Sequence, residues 1–177
     1  MIGDMLPERK PDQPPKAIPD VDMDIPEGAR DLYFEDLRVG QHFETGTHTV
    51  SEDEIKAFAA AFDPQPFHLD DRLARGTLFE GLAASGWHTA AITMRLLVDL
   101  GIPAGGLIGM GGEIAWPRPT RPGDTLRVAS EVLEVTPSRS HTDRGTVLIR
   151  NETRNQHCEV VQAFTGKLIV YRRPTTE

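Results

Sequence analysis

The chain has 177 residues, 38% hydrophobic and 26% charged, which is enough apolar material for one globular domain with a sizeable core. Its net charge of −8 excludes a general role on nucleic acid or an anionic membrane, because both are held by a basic surface that displaces counterions. A single cysteine, Cys158, excludes an internal disulfide and suits a reducing compartment.

No apolar run reaches the ~18 residues that span a bilayer, and the N-terminus lacks the charged-then-apolar pattern of a secretory signal, so a cytoplasmic protein is expected. Residues 1–30 hold Pro7, Pro11, Pro14, Pro15, Pro19 and Pro26 and no aromatic residue, so they bury too little surface to offset their ordering entropy. They read as an arm, either a disordered extension or a strap across a neighbouring subunit. A single domain over residues 31–177 is expected to follow.

From Tyr33 the pattern changes. Gly40 marks a turn and HFETGTHTV alternates as a strand does. Ser51 and Glu54 form an S-x-x-E capping box, and Ile55, Phe58, Ala59 and Phe62 follow on one helical face. Pro64 ends that helix at Asp63. A carboxylate at the negative end of a helix dipole is expected to have its pKa pushed up.

Residues 62–86, FDPQPFHLDDRLARGTLFEGLAASG, carry the candidate chemistry. Asp63 and His68 lie five positions apart, up to roughly 17 Å in an extended chain, so the segment must bend for both to hold one water molecule. Pro64 and Pro66 supply the bend by restricting the residues before them. Asp70 and Asp71 read as the N-cap and first-turn acid of a short helix ended by Gly76. Gly86–Leu100, apolar around most of its circumference and followed by Gly101 and Pro103, is a helix that calls for burial on several sides. Strands are expected over Gly106–Trp116, Thr125–Val135, Thr146–Thr153 and Glu159–Tyr171, with Pro-, Gly- and Asn-containing turns between them. Strands so closely spaced imply an antiparallel sheet, and the α+β architecture that follows is one long central helix wrapped by a curved antiparallel sheet.

With these residues in place the chain resembles the MaoC-like family of hot-dog fold proteins, which includes (R)-specific enoyl-CoA hydratases. The family pattern is close to D-x-N-P-x-H-x-D, followed by a glycine that opens the central helix. Asp63, Pro66, His68, Asp70 and Gly86 fit it, and Trp116, Pro119, Gly123 and Asp124 fit a later segment. The resemblance runs from about Tyr33 to Tyr171. Gln65 replaces the usual asparagine, and Ser85 stands where histidine usually precedes the glycine.

The resemblance implies a hydro-lyase that hydrates a 2-enoyl thioester or dehydrates the (R)-3-hydroxyacyl form. His68 would take a proton from water, Asp63 would supply one to C2, and the Gly86 N–H would receive the enolate oxygen, with glycine letting the thioester carbonyl come close. Gln65, Pro66 and Ser85 would shape the substrate pocket. Arg121, with Arg118, Arg127, Arg172 and Arg173, is a candidate for coenzyme A phosphates. No cofactor is expected beyond the substrate's own carrier, and no metal, since the ligand spacing is absent. The expected partners are an acyl-CoA thioester and a second copy of the chain, in a homodimer or higher even assembly. A hot-dog thioesterase and a non-catalytic acyl-binding module are the competing readings.

Overall fold

The alternation that begins at Thr125 becomes the middle of the sheet. The computed structural model describes residues 32–101, 103 and 105–174, so the expected proline-rich arm lies outside the described residues. Strand β4 (Thr125–Pro137) buries Leu126, Val128, Ser130 and Val132 on one face, as period-two patterning demands. Strands β5 (Arg144–Arg154) and β6 (Val160–Tyr171) follow it antiparallel, with Thr153 opposite Gln162. Strands β1 (His42–Glu44) and β2 (His48–Thr49) pair with β4, and β3 (Ile108–Ala115) pairs with β6. The order is β1-β4-β5-β6-β3, with β2 also on β4, which leaves β3 at an edge. The glycine-rich stretch forms a bulge between Gly109 and Gly111.

Helix α1 (Glu52–Phe62) starts at the capping box: Ser51 Oγ accepts the Glu54 N–H at 3.2 Å and Glu54 accepts the Ser51 N–H at 2.8 Å. It stops at Asp63, whose N–H closes on the Ala59 carbonyl. Gln65 is extended, as the residue before a proline must be, and Pro66 opens the single turn α2 (Pro66–Leu69). Asp70 caps α3 (Asp71–Ala74) by accepting the Leu73 N–H at 2.9 Å.

Helix α4 (Gly86–Leu100) has the expected bounds and contacts β4 and β6. It buries His88, Thr89, Ile92, Thr93 and Leu96. Ile92 and Leu96 join Val50, Ile55, Leu126, Val128 and Val161 in the main core, while Phe34, Val132, Val147 and Val170 form a second cluster. Leu126 is fully buried, so Leu126→Ala would cost about 2–5 kcal/mol. Burial on several sides of α4 is not observed within one chain: Trp87, Met94 and Val98 stay 61%, 48% and 42% exposed. Among the described residues, one helix covering one sheet face leaves its opposite side without an element to pack on.

Candidate active site

Two backbone hydrogen-bonding partners bring the bent segment against the start of α4. Ala83 donates its N–H to the Phe67 carbonyl at 3.2 Å, and the Ala83 carbonyl accepts from His68 Nδ1 at 2.7 Å. His68 is 4% exposed, edge-on to Phe67. A carbonyl only accepts, so Nδ1 carries the hydrogen and Nε2 of the neutral ring presents its lone pair. That nitrogen lies 3.4 Å from Asp63 Oδ2. The prolines therefore do bring the two side chains together.

Asp63 departs from the expectation for its charge state. Its carboxyl is held below the usual carboxylate range, chiefly because Ser85 Oγ donates to Oδ2 at 2.7 Å. Gln65 Nε2 donates to Oδ1 at 2.7 Å and adds to the effect, as does the neighbouring His68 ring whenever it carries a proton, while partial burial opposes it. The upward shift expected from the end of α1 is thus overturned: two direct donors outweigh a diffuse dipole. Ser85 also caps α4, its Oγ accepting the Trp87 N–H at 3.2 Å. One hydroxyl therefore ties the Asp63 carboxylate to the positive end of α4.

Gly86 opens α4, and its N–H has no acceptor within the helix. The space that a side chain would take there is already filled. A Cβ there would fall 2.7 Å from the Trp116 indole, which packs directly on the glycine. Pro66 is exposed and acts locally, as the first residue of α2.

The arginines expected at phosphates each bond to groups of this same chain. Arg121 donates from Nη1 to the Gly81 and Leu82 carbonyls at 2.8 and 3.1 Å, and from Nη2 to Phe79, so it pins the loop behind His68. Arg118, Arg127, Arg172 and Arg173 pair with Glu159, Glu44, Glu35 and Asp36 of the same chain. Sequence reasoning missed the Ala83 carbonyl, for which no residue type gives a signal. It placed Ser85 in the pocket without foreseeing its bond to Asp63.

A family model described as MaoC like domain matches residues 35–155. The chain belongs to the MaoC-like family. Among solved structures, this MaoC-like chain is similar to a MaoC-like dehydratase from Rhodospirillum rubrum, 59% identical with a TM-score of 0.79, covering 81% of this chain and 99% of that one. It is 36% identical over 142 residues to the uncharacterised protein YdeM of Bacillus subtilis, covering 78% of this chain and 97% of that protein. It is also 34% identical over 111 residues to a 3-hydroxybutyryl-CoA dehydratase of Methylorubrum extorquens, covering 62% of this chain and 69% of that protein. The hot-dog architecture expected from the motifs is the one observed, and the MaoC-like chain is a hydro-lyase of the hydratase and dehydratase class. No helix among the described residues is long and apolar enough to cross a membrane.

Proposed function

We propose that this chain hydrates a 2-enoyl-CoA thioester and, in reverse, dehydrates the (R)-3-hydroxyacyl-CoA. The observation that carries the reading is the 3.4 Å approach of Asp63 Oδ2 to His68 Nε2. With Asp63 ionised and Nδ1 committed to Ala83, two acceptors face one another, and the group that satisfies both is a water donating one hydrogen to each.

In hydration the water oxygen forms its bond to C3 as one of its hydrogens passes to Nε2. The electron pair of the C2–C3 double bond moves into the thioester, and its oxygen takes negative charge against the Gly86 N–H at the positive end of α4, an interaction worth ~10²–10³ in rate. The imidazolium, steadied by the Asp63 carboxylate, returns its proton to C2. The elements of water have then been added and the ring is neutral again. Ser85 and Gln65 keep Asp63 ionised, which supports the ring rather than the carboxyl as proton carrier to C2, a change from the role the motif alone implied. No cofactor takes part beyond the thioester's own carrier.

We also propose a cytoplasmic homodimer. Trp87, Met94 and Val98 line one exposed side of α4, and β3 presents an edge unpaired among the described residues, with Met110 58% exposed. A second copy covers both. The hydratase test is the loss of conjugated-thioester absorbance in Asp63→Asn and His68→Ala, each expected to fall at least ~10²-fold with the fold intact. Near-normal turnover in either variant refutes the assignment, and release of free thiol by the native protein would make it a thioesterase.

A further inference from the structure

Three backbone carbonyls converge on one guanidinium behind His68. Arg121 Nη1 donates to the carbonyls of Gly81 and Leu82 at 2.8 and 3.1 Å, and Nη2 donates to that of Phe79. The Arg121 N–H is itself held by Asp124 Oδ2 at 2.7 Å. The segment it grips, residues 79–84, belongs to no helix or strand, and Glu80 takes a left-handed φ of 56°, which few non-glycine residues adopt. Contacts from outside therefore decide where its carbonyls point. Among the described residues, no other side chain makes more than one hydrogen bond to this segment.

Two consecutive peptide planes carry that control to the ring. In the first, the Leu82 carbonyl accepts from Arg121 while the Ala83 N–H donates to the Phe67 carbonyl at 3.2 Å. In the second, the Ala84 N–H donates to the Thr120 carbonyl at 2.9 Å while the Ala83 carbonyl accepts from His68 Nδ1 at 2.7 Å. A peptide unit is planar, so fixing one end aims the other.

The neutral ring has two tautomers, and the place of the Ala83 oxygen chooses between them. At 2.7 Å the hydrogen must sit on Nδ1, because a lone pair there would face another lone pair. Were that carbonyl to swing away, the hydrogen could sit on Nε2 and point at the Asp63 carboxylate, a charge-assisted contact from 3.4 Å. Nε2 would then have no lone pair with which to take a proton from water.

We infer that Arg121 is a positioning residue, which holds His68 in its Nδ1–H tautomer through residues 79–83 and so keeps Nε2 available as the base. The inference rests on the hydratase reading.

The test pairs hydration kinetics with ring-nitrogen NMR of histidine-labelled protein, in which His68→Ala identifies the signals of that ring. The native ring should show its hydrogen on Nδ1 and none on Nε2. In Arg121→Ala, kcat should fall at least about 10-fold with KM within about twofold, and the Nε2–H form should appear. Added methylguanidinium should restore part of kcat in Arg121→Ala and none in His68→Ala. A purely structural role would lower the melting temperature without moving the tautomer. Should Arg121→Ala not fold, Arg121→Lys gives the same readouts, since one ammonium does not reproduce the fork. A variant that keeps the Nδ1–H tautomer, whatever its kcat, overturns the inference and leaves the hydratase reading standing. No turnover by the native protein, or a native ring with its hydrogen on Nε2, removes the hydratase reading and this inference with it.

Discussion

Ser85→Ala removes two contacts with one atom. The hydroxyl caps α4 by accepting the Trp87 N–H, and it donates to Asp63. Loss of a cap costs about 1 kcal/mol. Loss of a hydrogen bond to a charged group costs about 1.5–3 kcal/mol. One hydroxyl makes both bonds, so the two are not independent, and about 2–3 kcal/mol is expected in total. For 177 residues each kcal/mol moves Tm roughly 2–4 °C, so the variant should melt about 5–10 °C lower at pH 7. The pH dependence separates the two contributions. Asp63 has a depressed folded-state pKa, so the stability it contributes is complete above the ordinary carboxylate value of about 3.9 and is lost as pH falls through the folded value. Urea denaturation of both proteins at pH 7, 5, 4 and 3 should show a gap that is essentially full at the first three and shrinks at the last, toward the contribution of the cap. In the kcat/KM profile the acidic limb should move to higher pH in the variant, because Asp63 would take up a proton sooner. A gap of constant size down to pH 3, or none at pH 7, would refute the claim that Ser85 holds Asp63 ionised.

Gln65→Ala should leave stability within about 0.5 kcal/mol, since the side chain is exposed, yet raise the acidic limb of the rate profile by removing the donor on Oδ1. Gly86→Ala should cost about 1–3 kcal/mol by driving a methyl into Trp116, and the double variant with Trp116→Ala should recover part of that loss in a thermal melt. Arg121→Lys keeps the charge but loses the fork, so it should destabilise nearly as much as Arg121→Ala with an unchanged KM; a raised KM in Arg121→Ala that the lysine recovers would favour a phosphate contact instead. Sedimentation should give a dimer, and a monomer at micromolar concentration would leave the exposed side of α4 unexplained.

Much of the fold was legible because it follows from neighbours in the chain. The capping box starts α1 at Ser51, Pro64 stops it, Asp70 caps α3, and period-two alternation marks β4. Each depends on residues within a few positions, where backbone geometry leaves few alternatives. The opening of α4 at Gly86 was read with the same ease. Its exposed side was not, because apolar periodicity says that a face is to be covered and not by what.

The residue types at 63 and 68, and the bend that joins them, were determined by the sequence alone, since proline restricts the backbone wherever it stands. The state of Asp63 was decided by tertiary structure: the strongest group acting on it is the hydroxyl of Ser85, 22 residues later, and a hydrogen bond at 2.7 Å outweighs the helix end that local reasoning sees. The same holds for the ring at 68, oriented by the carbonyl of residue 83, and for the guanidinium of Arg121, spent on the loop carbonyls at residues 79, 81 and 82. Electrostatic and hydrogen-bonding effects act over a few ångströms of space, so the order of residues announces them only where chain neighbours are also spatial neighbours.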